Sequence, residues 1–292
     1  MASLWSKLTT LGRAKGLRRY RVLEPVSEGG FAQVYRAEDR LTNEVVALKV
    51  LKPTALKSAR RLQRKFHRSE GEIAMSFQHE NIVRTFDSAL NDKSGYLAME
   101  YIEGPNLRDV IFECEPLPRR RRLELITAMG AGLAYIHDQN YLHRDFCPKN
   151  ILVNSQGVPK IIDFGLCIPI DRKLRWKWDR SGTPSYMAPE QVRGQSVDVR
   201  ADIYAFGVSM FEVLALRRPF GEGASMEGRM QFHLNFRPTP PSDCDAQIPP
   251  ALDDICLKAM AKDCQQRQKT MNEVMSQLRA AAACLQGQPG WE

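Results

Sequence analysis

His143-Arg144-Asp145-Phe146-Cys147-Pro148-Lys149-Asn150 is followed thirteen residues later by Asp163-Phe164-Gly165. The first stretch holds a carboxylate and an amide, Asp145 and Asn150, five positions apart on a loop that contains proline. Such a loop can aim both side chains at one substrate without the constraint of a helix. The second stretch sets a carboxylate beside a glycine at the end of the apolar run Lys160-Ile161-Ile162, a setting that suits a hard-cation ligand. Either piece alone also reads as a capped turn. Their order and spacing together are far more specific.

Phosphoryl transfer needs a loop over the phosphates, a cation on them, metal ligands and a base near the attacking hydroxyl. Working upstream, Ser27-Glu28-Gly29-Gly30-Phe31-Ala32-Gln33-Val34 lies between two strand-like runs. Gly29 and Gly30 let backbone amides approach phosphate oxygens, although a glycine hairpin turn looks the same. Lys49 stands in Val46-Ala47-Leu48-Lys49-Val50-Leu51. If its head is buried it needs an anionic partner, which Glu70 or Glu72 could supply; the alternative is a lysine on an exposed strand face.

The wider pattern is β first and α after. Strands are expected from Tyr20, at Ala32 to Ala37, Glu44 to Leu51, Val83 to Ser88 and Tyr96 to Tyr101, with one charged helix over about 59–78. Beyond Gly104 the spacing turns helical, as in Arg120 to Asp138, where Leu123, Ile126, Leu133 and Ile136 share a face. Residues 141–163 read as short strands and loops, and the chain after 190 as mainly helical to Leu278. Residues 281–292 read as a tail without a packing pattern. Residues 1–19 form a basic leader in which Leu4, Leu8 and Leu11 share one helical face beside Trp5. It reads either as a docking helix for a membrane or partner, or as a partly ordered leader.

Bulk properties bound the class. The 292 residues suit one large domain or two lobes. A net charge of +8 is spread along the chain, with only short clusters such as Arg119 to Arg122. No zinc-finger or aromatic-basic motif accompanies it, so no nucleic-acid partner is expected. Seven cysteines, an odd number without a CxxC pair, point to reduced thiols and a cytoplasmic setting. Ile203 to Leu216, the longest apolar candidate, is short and contains Glu212, so it reads as a buried helix and not a transmembrane segment.

These motifs resemble those of the eukaryotic-type protein kinases and are similar to the serine/threonine kinases found in bacteria. The resemblance covers about residues 20–280. It runs through the glycine loop, Val46-Ala47-Leu48-Lys49, His143 to Asn150, Asp163-Phe164-Gly165 and Gly182-Thr183-Pro184-Ser185-Tyr186-Met187-Ala188-Pro189-Glu190, then Asp202 to Gly207, ending near Arg267. It implies an α+β, two-lobed protein kinase fold: a small β-rich N-lobe with one main helix (20–102) and a larger, mainly helical C-lobe (103–280). It also implies a protein kinase that uses ATP and Mg2+, with Mn2+ as an alternative metal, on protein substrates at serine or threonine.

Carried over by position, the resemblance gives Lys49 the α- and β-phosphates. Counting back from His79 selects Glu70 over Glu72 as its partner. Asp145 becomes the catalytic base, and Asn150 and Asp163 the metal ligands. Ser27, Gly29, Gly30, Ala32, Val34, Ala47, Asn106 and Leu152 line the nucleotide site. Met99 is the gatekeeper, and Glu100 to Ile102 the adenine-binding hinge. Thr183 contacts the catalytic aspartate, Glu190 pairs with Arg267, and Asp202 braces the catalytic loop. Phe206, Val208, Met210 and Leu214 are core.

Departures from the family pattern bear on function. Ser27 and Ala32 replace two of the three loop glycines. Cys147 stands where serine/threonine kinases carry a lysine, and Lys149 two positions on either supplies the missing cation or is a solvated loop residue. Asp179, three before Gly182, stands where several kinases are phosphorylated; it reads either as a built-in carboxylate that serves Arg144 or as one charge in a very basic loop, with Ser181, ahead of Thr183, as the candidate autophosphorylation site. The competing readings are a pseudokinase scaffold, suggested by Cys147 and the altered loop, and a small-molecule kinase of the aminoglycoside phosphotransferase sort. The peptide-surface segment Gly182 to Glu190 argues against the latter.

Overall fold

The computed structural model of the chain describes residues 16–113, 117–170, 181–220, 225–288 and 291. They divide into two compact units, one running to His79 and resuming over Val83–Glu103, the other comprising Glu80–Ile82 and the chain from Gly104.

The first unit is built on a five-stranded antiparallel sheet of β1 (Tyr20–Glu28), β2 (Ala32–Asp39), β3 (Val45–Leu51), β4 (Thr85–Leu90) and β5 (Gly95–Glu100), in the order β1-β2-β3-β5-β4. Side chains alternate between faces along each strand. Tyr35, Ala37, Val46, Leu48, Val50, Tyr96 and Ala98 take one face and form a core with Leu17 and Tyr20. The 3-10 turn Leu17–Arg19 thus belongs to the folded unit, and Arg19 Nε donates to Asp39 Oδ1 at 2.7 Å. The pairings Val34↔Lys49, Lys49↔Leu97 and Ala47↔Met99 gather the other parity, and with it the expected nucleotide residues, on the opposite face.

One helix was expected after β3; two are present, α1 (Pro53–Phe66) and α2 (Glu70–Met75). The break has a local cause. His67 adopts a left-handed φ of 56° that ends α1. Ser69 then caps α2 with a capping box: its Oγ accepts from Glu72 N at 3.2 Å, and Glu72 Oε2 accepts from Ser69 N at 2.5 Å. Helix α2 lies so close to β4 that a Cβ on Gly71 would overlap the Ser88 side chain.

The second unit contains α3 (Leu107–Phe112), α4 (Arg119–Asp138), α5 (Pro189–Val192), α6 (Val199–Ala215), α7 (Met226–Asn235), α8 (Pro250–Ala259) and α9 (Met271–Leu285). Two small antiparallel pairs join them: β6 (Tyr141–Leu142) with β9 (Ile168–Pro169), and β7 (Ile151–Val153) with β8 (Pro159–Ile161). Helix α6 is buried on all sides from Ala201 to Leu214, as expected of a helix that is apolar all round. Phe206, Val208, Met210 and Leu214 lie within this core. No helix among the described residues is long and apolar enough to cross a membrane.

The expected unpacked tail is corrected. Ala281 and Leu285 continue the buried stripe of Met271, Val274, Met275 and Leu278 along α9, and Trp291 is buried with its Nε1 donating to Gln247 O at 3.2 Å.

Glu212 is the acidic residue within the buried stretch of α6 that faces the 182–190 segment, its Oε2 accepting from Tyr186 Oη at 2.8 Å. Burial pushes its carboxyl up to about 7, against the pull of that hydrogen bond and of the Arg218 and Arg108 charges. A raised native value means the folded state holds the proton more tightly than the unfolded chain. The associated stability is full below about 4.5 and lost as pH rises through about 7, a swing on the order of 3 kcal/mol. Urea unfolding across that range should therefore show a falling component that Glu212→Gln lacks. Identical pH slopes for the two proteins would contradict this.

Candidate active site

The second unit assembles the catalytic loop around Asp145. Asn150 Nδ2 donates to Asp145 Oδ2 at 3.0 Å and to Asp145 O at 2.9 Å. Thr183 N donates to Asp145 Oδ1 at 2.7 Å. Gly182 makes that approach feasible: it sits at φ +128°, where a Cβ would come within 3.0 Å of Arg144 O. Burial raises the Asp145 carboxyl above its usual range, offset in part by the Thr183 hydrogen bond and the charge of His143. A carboxylate raised in this way, yet still hydrogen-bonded on both oxygens, is suited to general-base work.

The β7–β8 pair brings the second carboxylate to this loop. Ile151 pairs with Ile161, and Ile162 N donates to Asn150 O at 3.0 Å, so Asn150 and Asp163 sit at the same end of the pair. Asp163 Oδ1 accepts from Gly165 N at 3.0 Å. With its nitrogen committed to Asp145, Asn150 presents Oδ1 as a hard ligand atom. One amide oxygen and one carboxylate fit a magnesium-type ion, which is bound through few protein ligands plus substrate phosphates and not in an all-protein cage. Among the described residues no group of three or more His, Cys, Asp or Glu converges as a metal site.

A buried carboxylate holds the loop. Asp202 Oδ2 accepts from His143 N at 2.7 Å and lies 2.9 Å from His137 Nε2, and Oδ1 accepts from Arg144 N at 2.8 Å. Burial pushes the Asp202 carboxyl up, but the His137 hydrogen bond and the neighbouring histidine charges outweigh it and leave it below its usual range. Arg144 adopts φ 70°, a conformation costly for a long side chain and sustained here by that clamp. Burial also lowers His143. The clamp's third donor, His137, was not singled out from the sequence. It lies in the last turn of α4, where a polar residue carries no periodic signal.

Downstream, Glu190 and Arg267 form a buried fork, with Nη1–Oε1 at 2.6 Å and Nη2–Oε2 at 2.8 Å. Cys147 is buried, its Sγ 3.8 Å from Thr183 Oγ1. Burial, then the Asp145 charge, pushes its thiol up to about 12. Lys149 is exposed in the 3-10 turn Pro148–Asn150. Asn106 caps α3, its Oδ1 accepting from Asp109 N at 3.1 Å, and bridges to Leu152 on β7. Asp179 lies outside the described residues.

In the first unit, Lys49 Nζ lies 2.6 Å from Glu70 Oε1, with side-chain exposures of 12% and 15%. Glu72 is instead consumed by the capping box. Gly29 N donates to Ala32 O at 2.9 Å and closes the glycine turn, with Ser27 opposite Val34. Met99 is buried opposite Ala47. Glu100 N donates to Arg84 O at 2.8 Å, and Ile102 is buried at the end of β5.

The model of the protein kinase domain matches residues 20–278. The chain belongs to the protein kinase family. It is 32% identical over 92% of its length to a probable serine/threonine-protein kinase of Clostridium perfringens, covering 39% of that protein. It is 32% identical to serine/threonine-protein kinase PrkC of Bacillus subtilis, with 90% of this kinase and 40% of PrkC aligned. Against serine/threonine-protein kinase PknB of Mycolicibacterium smegmatis it is 32% identical, with 89% and 42% aligned. This kinase thus spans about two fifths of the length of these relatives. The protein kinase family uses ATP and a divalent metal ion.

Proposed function

We propose that this kinase transfers the γ-phosphate of ATP to serine or threonine hydroxyls of proteins, with Asp145 as the base. The observation that carries the reading is the Asp145 carboxylate, raised by burial and oriented by Thr183 N and Asn150 Nδ2. The names of the relatives, serine/threonine-protein kinases, support the residue class.

Each residue has a stated task in this reading. Lys49, oriented by Glu70, holds the α- and β-phosphates as a point charge. Asn150 Oδ1 and the Asp163 carboxylate would hold Mg2+, with Mn2+ as an alternative. The metal, when bound, supplies charge neutralisation to the phosphate oxygens. Asp145 orients the substrate hydroxyl and takes its proton as the hydroxyl oxygen bonds to the γ-phosphorus and the bond from that phosphorus to the β–γ bridging oxygen breaks, with ADP as the leaving group. Thr183 fixes Asp145 through its amide. Ser27, Gly29, Gly30, Ala32, Val34, Ala47, Met99, Glu100, Ile102, Asn106 and Leu152 hold the nucleotide. The six described cysteines are free thiols, which supports a cytoplasmic setting. Phosphoamino-acid analysis of a generic protein labelled with Mg-ATP should show phosphoserine or phosphothreonine. Label on tyrosine alone would overturn the residue class.

Lys149 supplies the cation that Cys147 cannot. Cys147 is buried and uncharged at neutral pH, while Lys149 lies exposed beside Asn150. A cation near the transferring phosphoryl stabilises developing charge. Lys149→Ala should therefore lower kcat by about tenfold or more with little change in ATP affinity, and Cys147→Lys in that background should restore rate. Parent-like kcat in Lys149→Ala would refute the role.

A further inference from the structure

A cavity of about 370 Å3 opens in the second unit, lined by Glu190, Arg193, Gln195, Lys262, Asp263 and Cys264. Its charges are unevenly matched. Glu190 is consumed by the Arg267 fork. Asp263 is exposed, its Oδ1 turned back to cap Gln265 N at 2.9 Å. The cations have no such partners. Lys262 Nζ is half-buried and donates to Tyr204 Oη at 3.2 Å and Phe232 O at 3.4 Å, both neutral acceptors. It also sits 4.9 Å from the Phe220 ring centroid. Among the described residues it meets no carboxylate within ion-pair distance, and the Arg193 guanidinium and Gln195 amide make no side-chain hydrogen bond.

Lys262 is a partly buried cation without a counter-ion, which is costly unless an anion is supplied; Arg193 is exposed and free to turn toward the same anion. Burial, then the charges of Arg267 and Arg193, pushes the Lys262 ammonium down to about 8, the response of a cation short of negative charge. An ammonium, a guanidinium and an amide form a donor set with different directions. A tetrahedral oxyanion, with acceptor oxygens on every side, matches it better than a planar carboxylate does.

We propose that this cavity binds a phosphate-type oxyanion through Arg193, Lys262 and Gln195. The shared chemistry admits two sources, free inorganic phosphate and a phosphorylated serine or threonine side chain. The proposal does not rest on the kinase reading. Because Glu190 lines the cavity and is locked to Arg267, an occupant would stabilise the end of the 182–190 segment.

The test is binding, not turnover. The 292-residue chain carrying Asp145→Asn is titrated with inorganic phosphate, a phosphothreonine peptide and the same peptide unphosphorylated, at ionic strength fixed with chloride. Calorimetry and the unfolding midpoint are the readouts. Binding of phosphate or of the phosphopeptide is expected, weakened about tenfold or more by Arg193→Gln and by Lys262→Met. Arg193 is exposed, so Arg193→Gln should fold normally even if Lys262→Met loosens its contacts. Preference for the phosphopeptide over phosphate would assign the site to phosphorylated protein; the reverse would assign it to the free anion. Equal response to chloride, or affinity unchanged in Arg193→Gln, would overturn the proposal.

Discussion

Lys49→Met and Asp163→Ala should each abolish phosphoryl transfer while leaving the protein folded. Both side chains are assigned to the metal-nucleotide and neither is a packing residue. Lys49 lies with Glu70 at side-chain exposures of 12% and 15%, so removing it leaves a carboxylate that water can still reach. Asp163 Oδ1 accepts a hydrogen bond from Gly165 N at 3.0 Å, and losing such a bond costs about 1 kcal/mol. The functional loss is much larger. Charge stabilisation in the transition state contributes several kcal/mol, so each change should lower the rate on the order of 10³-fold or more. Rates from radiolabel transfer, set beside thermal unfolding of the same samples, separate the two effects. Near-normal turnover in Lys49→Met would contradict the assignment of that lysine.

Arg267→Ala should be the most damaging substitution for stability. The guanidinium is fully buried, at 0% side-chain exposure, and pairs with both oxygens of Glu190. It also donates to Ala261 O and Arg200 O, each at 2.8 Å. Removing it strands a buried carboxylate and two carbonyls. Breaking a buried pair from one side costs about 3–5 kcal/mol, whereas replacing both partners by apolar side chains of similar volume costs much less. Urea unfolding should therefore rank Arg267→Ala well below the double variant Glu190→Met/Arg267→Met. A loss within about 1 kcal/mol for Arg267→Ala, the size of an exposed pair, would refute the buried-fork account.

The fold class was legible because its signals are local. The β-branched runs before Gly104 and the helical spacing after it needed no long-range information. Strand alternation puts Val34, Ala47, Lys49 and Met99 on one face once register is known. The break between α1 and α2 was not legible, since a left-handed His67 carries no glycine or proline to announce it. The second half of that break was present in the sequence as Ser69-x-x-Glu72, a capping-box pattern. Reading it would have removed Glu72 as a partner for Lys49 on local grounds. The packed end of α9 was also readable, because Ala281 and Leu285 keep the spacing of Val274 and Leu278. The role of Asp202 came from the family resemblance alone, and its partners were not legible residue by residue. An aspartate inside an apolar helix is stabilised there by two backbone amides and His137, donors remote in sequence.

The central claim is that Asp145 sits in a working phosphotransfer site. The most direct measurement is transfer of radiolabel from the γ-position of ATP to a generic protein substrate with and without magnesium, for the parent protein and for Asp145→Asn. The account predicts metal-dependent incorporation by the parent and a fall on the order of 10³-fold in Asp145→Asn, with unfolding midpoints that stay close. No incorporation by the folded parent protein, or equal incorporation by Asp145→Asn, would contradict it.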